Sequence, residues 1–113
     1  MKQRQVGSVA ILMPHGYLTG GEETDELEQT IKRLGEAGNK HLVINLAEAQ
    51  HLNSTALGVL ISAHSNFVRR GGQMKLCSVD KRIENIFVIT KLSLVFDVYS
   101  SEELAIASFA EKE

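Results

Sequence analysis

At 113 residues the chain has room for one domain with a buried core, and nothing in it points to a second. Hydrophobic residues make up 43% and charged residues 23%, near the globular average, and with no Trp, four Phe and two Tyr the core must be largely aliphatic. A formal charge of −2, with Lys, Arg, Asp and Glu intermixed, argues against nucleic acid as the main partner, because phosphate binding needs a basic face. The apolar stretch around Ala56 to Ala63 is far short of the roughly 20 residues that span a bilayer, so direct membrane insertion is not expected. The basic start, Met-Lys-Gln-Arg-Gln, is followed by no uninterrupted apolar signal core, and Cys77 has no partner for an internal disulfide. The expected location is the cytoplasm.

In chain order, Val6 to Leu18 is rich in Val, Ile, Leu and Tyr and is broken by Pro14-His15-Gly16, which predicts a strand pair or a bent strand. Glu22 to Gly38 carries Leu27, Ile31 and Leu34 at the spacing of a one-sided helix. Glu22, Glu23 and Asp25 sit in its first turn, where the helix dipole favours negative charge, and Gly35 and Gly38 lie near its end. His41 to Leu46 is short and branched, as suits a strand buried on both faces. A second helix should begin at Asn53 or Ser54, both good caps, and run to about Arg70. Its inner face is expected to carry Leu57, Leu60, Ile61, His64 and Phe67 or Val68. Gly71-Gly72 stops it. Met74 to Val79 reads as a strand, Asp80 as the cap of a helix with Ile83, Ile86 and Phe87, and Val95 to Tyr99 as a last strand. Ser100 and Glu103 have capping-box spacing ahead of a C-terminal helix. Strands alternating with helices imply a largely parallel sheet, with function at the edge where strands hand over to helix starts.

Catalytic chemistry has no visible home. Neither a dinucleotide fingerprint nor a phosphate loop is present, and no aspartate follows the strand at 41–46. His15, His41, His51 and His64 lack metal-ligand spacing, so neither metal nor cofactor is expected. His64 reads as a satisfied core or boundary histidine, and Cys77 as a small buried hydrophobe. No nucleophile elbow organises the Ser, His and Asp residues.

One segment carries information. Asn53-Ser54-Thr55-Ala56-Leu57-Gly58 places two hydroxyls at the mouth of the best amphipathic helix. They serve as ordinary caps, or as phosphate acceptors whose charge would meet free backbone N–H groups and the positive end of the helix dipole.

Here the chain resembles the STAS (sulphate transporter and anti-sigma-factor antagonist) family, and its anti-sigma-factor antagonists in particular. The residues that carry the likeness are His-Leu-Val-Ile-Asn-Leu at 41–46, Leu52-Asn53-Ser54-Thr55-Ala56-Leu57-Gly58-Val59-Leu60, Gly71-Gly72-Gln73-Met74-Lys75-Leu76-Cys77, Ile83 to Phe87 and Leu92 to Phe96. The resemblance spans roughly residues 6 to 110. It implies one α/β domain over residues 1–113, with a central, mostly parallel mixed sheet of about four to five strands and about four helices. It places the phosphoacceptor at Ser54, with Thr55 as second candidate, and partner contacts at Thr19, Gly20, Asn53, Ser54, Thr55, Leu57 and Gly58. The implied partners are an anti-sigma factor with serine kinase activity, whose complex phosphorylation breaks, and a phosphatase that restores it. Asn53 stands where the family has Asp, Ala56 where it has Gly, and Thr19 where many relatives have Asp. These departures bear on kinase recognition more than on the fold. The expected function is reversible protein binding rather than catalysis, by a monomer or weak dimer. The alternatives are a non-phosphorylated scaffold subunit of a sensory or transporter complex, and a small nucleotide-binding protein using the Thr19-Gly20-Gly21 turn.

Overall fold

Two runs of branched residues form the centre of the sheet. In this computed structural model, which describes residues 1–110, Val9–Met13 (β2) and His41–Asn45 (β4) pair in parallel, from Val9 opposite His41 to Leu12 opposite Ile44. The last three residues of the domain expected over 1–113 lie outside the described residues. Side chains alternate across a strand, so Ala10, Leu12, Leu42 and Ile44 enter one core while Val9, Ile11 and Val43 enter a second. Lys2–Val6 (β1) folds back antiparallel on β2 through a Gly7-Ser8 turn in which Gly7 has φ +58°. Gln73–Cys77 (β6) and Val98–Tyr99 (β7) add in parallel on the other side, giving the order β1-β2-β4-β6-β7. Gly16–Leu18 (β3) and Ala49–Leu52 (β5) form a separate parallel pair.

Glu22–Glu36 (α1), Ser54–Arg69 (α2) and Lys81–Ile89 (α3) cover the first core through Leu27, Ile31, Leu34, Leu60, Phe67, Ile83 and Phe87. Glu102–Ala110 (α4) covers the second through Ala105 and Phe109. The result is the mostly parallel mixed sheet of five strands, with four helices, that the sequence predicts.

The local departures have physical causes. β1 was not expected, because Lys-Gln-Arg-Gln-Val is exposed along its whole length and shows no alternation. β2 and β3 are not partners of one another; Pro14, which cannot donate to a ladder, separates strands of two different sheets. On α2 the inner face is Ala56, Leu57, Leu60, Ala63 and Phe67, while Ile61 and Val68 face solvent at 38% and 50% exposure. The last strand is only Val98–Tyr99; Leu92–Leu94 before it forms a 3-10 turn entered through Lys91 at φ +64°. The cap of α4 is Ser101, whose Oγ accepts from the Leu104 amide at 3.2 Å, one residue later than the expected box. Cys77 is buried, as expected, and burial pushes its thiol pKa up. His64 is half-buried, edge-on to Phe96 at 5.7 Å, and among the described residues its Nδ1 meets no hydrogen-bond partner; it stands at the boundary of the core, as expected.

Two polar devices tie α4 to the sheet. Arg4 on β1 reaches the Glu102 carboxylate at 2.7 Å, and Asn45 Nδ2 donates to the same carboxylate at 2.9 Å. These bonds, Arg4 first, hold the Glu102 carboxyl below the usual range. Lys75, 1% exposed, donates from Nζ to Ser108 Oγ at 2.7 Å and to Tyr99 Oη at 3.3 Å, with the Phe109 ring centroid 4.7 Å away. Among the described residues no carboxylate pairs with it.

A depressed folded-state pKa stabilises fully above the unfolded value, near pH 4.3, and ceases to do so as pH falls through the folded one. Accordingly, Glu102→Gln should be less stable than the parent at neutral pH, and the gap should close on acidification, as read by urea unfolding between pH 7 and 3. Lys75→Met should unfold within about 1.5 kcal/mol of the parent, since a long apolar side chain replaces a costly buried amine in the same space. A loss above about 3 kcal/mol would mean that the amine's hydrogen bonds, not packing, hold α4.

Candidate functional site at the start of α2

The β3–β5 ribbon brings two helix starts side by side. Tyr17 lies opposite His51 and Leu18 opposite Leu52, so the residues that follow, Thr19-Gly20-Gly21 and Asn53-Ser54-Thr55, run on as neighbours into α1 and α2. The ladder continues one step past the strands: the Asn53 amide donates to Leu18 O at 3.2 Å.

Asn53 is extended, at φ −101° and ψ −175°, and caps α2. Its Oδ1 accepts from the Ala56 amide at 3.1 Å, and its Nδ2 donates to Thr19 O at 2.9 Å. An aspartate could make the first bond but not the second, since a carboxylate has no proton to give. The expectation that Asn53 caps the helix is met, and the amide adds a tie to the α1 approach that the sequence did not reveal. Gly20 completes the contact. Its φ of +97° favours glycine, and a Cβ there would stand 3.4 Å from Thr55 Cγ2; its amide donates to Thr24 Oγ1 at 2.9 Å.

Ser54 is the first residue of α2 and is exposed, as are Thr55, Gly58, Thr19 and Gly20. Asn53 is half-buried between the two loops. Leu57, which the resemblance places among the partner contacts, lies on the inner face of α2 as its spacing predicts and supports the site from below. Sequence reasoning missed β5, and with it Tyr17 and His51, whose exposed rings stand 6.4 Å apart beside the site. A polar pair inside a four-residue strand leaves too little pattern to find.

The electrostatics are one-sided. No Lys or Arg occurs between residues 5 and 31 or between 41 and 68, whereas Glu22, Glu23 and Asp25 occupy the exposed first turn of α1. Lys32, Arg33, Lys40, Arg69 and Arg70 gather at the far ends of the same helices and their connections. Among the described residues no group of three or more His, Cys, Asp or Glu side chains could hold a metal ion, and no helix is long and apolar enough to cross a membrane.

A central five-stranded sheet with three helices on one face and one on the other, and a hydroxyl at the head of α2, defines a class of small α/β domains. Residues 1–105 match the STAS domain, and the chain belongs to that family. It is 30% identical over 77 residues to the anti-sigma-B factor antagonist of Bacillus subtilis, covering 68% of this chain and 70% of that one. It is 25% identical over 63 residues to the anti-sigma F factor antagonist of Paenibacillus polymyxa, covering 56% of this chain and 54% of the relative. Among solved structures, an anti-sigma-factor antagonist (STAS) domain protein from Planctomyces limnophilus superposes with a TM-score of 0.83 at 16% identity, over 96% of this chain and 97% of that one. The phosphorylated form of a Bacillus cell fate determinant does so at 0.76 and 14%, over 96% and 97%.

Removing the cap should be measurable. Asn53→Ala should lower the unfolding free energy by about 1–2 kcal/mol, while Asn53→Asp should stay within about 1 kcal/mol of the parent. With the bond to Thr19 gone, the Gly20 amide in Asn53→Asp should exchange hydrogen faster than in the parent.

Proposed function

We propose that this protein is a regulator of the anti-sigma-factor antagonist type that binds a partner protein reversibly at the start of α2 and is released when Ser54 is phosphorylated. One observation carries the reading: Ser54 is exposed at the first position of α2, beside a second helix start and among small or uncharged side chains. Such a surface lets a partner approach the backbone closely. A phosphate on Ser54 adds nearly two negative charges and can be held by free N–H groups at the helix start without unfolding it.

No arginine or lysine of β3, β5 or the first half of either helix is available to neutralise that charge, and Glu22 and Glu23 add to it. The surface therefore changes from mildly to strongly anionic, and a docked partner is lost through repulsion and the cost of burying the phosphate. The partner we propose is an anti-sigma factor with serine kinase activity, with a phosphatase to reverse the modification and Thr55 as the secondary acceptor. Reversible binding fits a site built mainly of two hydroxyls, an amide and two glycines.

The test is binding to the kinase-type anti-sigma factor of the source cell, measured by calorimetry with phosphosite mapping. Ser54→Ala should bind as the parent does, and Ser54→Asp at least about tenfold more weakly, a difference of about 1.4 kcal/mol. If Ser54→Asp binds undiminished, or an active kinase leaves both Ser54 and Thr55 unmodified, the switch is wrong and a scaffold role without phosphorylation takes its place.

A further inference from the structure

We propose that the groove between α1 and α2 is a binding site for a small apolar monocarboxylate, independent of any event at Ser54. The groove has a volume of about 270 Å³, with Ile31 from α1 and Val59, Ala63 and Phe67 from α2 on its floor. Lys32 and Arg70 stand on its rim. Among the described residues neither enters an ion pair, although four other pairs form elsewhere on the surface.

The arginine has a prepared seat. Gly35 lies buried inside α1, where a glycine weakens a helix, and an added Cβ would stand 3.4 Å from Arg70 Nη1 and 3.6 Å from Phe67 Cε1. Without that side chain the guanidinium lies against α1 at the edge of the apolar floor. A planar fork beside an apolar channel matches a carboxylate whose tail follows the channel, and a lysine on the same rim adds a second donor.

The rest of the lining narrows the ligand. Glu28 lies on the same groove, one turn before Lys32 on α1, and disfavours a second anionic group on the tail. Two cations over an apolar floor also suit a polyphosphate poorly. The volume is below the usual range for drug-sized sites, so the ligand is small.

Octanoate is the probe, titrated into the full chain and followed by the backbone amide signals of Ala63, Phe67 and Arg70. Saturable binding is expected with a Kd in the millimolar range or tighter, the scale a ligand of this size reaches. Octanol and the dicarboxylate suberate should bind at least about tenfold more weakly, as should octanoate to Arg70→Gln, because each loses a charge-assisted bond or meets Glu28. Ser62→Trp, a change at an exposed wall position, should fill the groove and abolish binding while the remaining amide spectrum shows an intact fold. The proposal is overturned if octanol or suberate matches octanoate, if Arg70→Gln or Ser62→Trp binds as the parent does, or if shifts fail to saturate.

Discussion

The parallel pairing of β3 with β5, extended by Asn53, sets the geometry on which everything at this end of the molecule rests. Each strand of the ribbon feeds a helix, so pairing the strands fixes the spacing of the helix starts before any side chain is considered. Asn53 then uses its backbone amide, its side-chain oxygen and its side-chain nitrogen on three different groups: Leu18 O, the Ala56 amide and Thr19 O. A single residue thus caps one helix and tethers the approach to the other. Ser54 is presented at a fixed place because the residue before it is fully committed.

That arrangement separates the packed face of α2 from its exposed one. Leu57, Leu60, Ala63 and Phe67 hold α2 down through burial, the dominant favourable term in folding, while the outward positions Ser54, Thr55, Gly58, Ser62 and Ser65 carry no charge. A change of charge at the helix start therefore alters the surface without disturbing the packing beneath it. The same separation appears across the sheet. There α4 is held by Ala105 and Phe109 in the second core, while Arg4, Asn45 and Glu102 set its position at the rim.

The sequence exposed those features whose physics is local and repetitive. Leu27, Ile31 and Leu34 mark α1 because burial on one side imposes a period, and His41 to Leu46 marks β4 because burial on both sides removes polar residues. Asp80 and Asn53 are legible as caps because a short polar side chain before an apolar run has few other uses. β1 was hidden because an exposed strand is specified by its partner rather than by its own residues, and β5 because only its end residues, Ala49 and Leu52, are buried. Lys75 was hidden for the opposite reason: in sequence it looks like a polar break in an apolar strand, and only the fold brings Ser108, Tyr99 and Phe109 around it. Of the site, Ser54, Thr55 and Asn53 could be read directly. The contact of Gly20 with Thr55 depends on how two distant segments meet.

The margins of the sheet have a further consequence. One outer strand presents Lys2 and Arg4, and the other, Val98–Tyr99, is two residues long. A charged ribbon and a stub are both poor templates for an incoming backbone, since too few hydrogen bonds form to offset desolvating the lysine and arginine or ordering the new strand. Growth of the sheet from molecule to molecule is therefore discouraged at both ends, which favours the folded chain over fibrous aggregates.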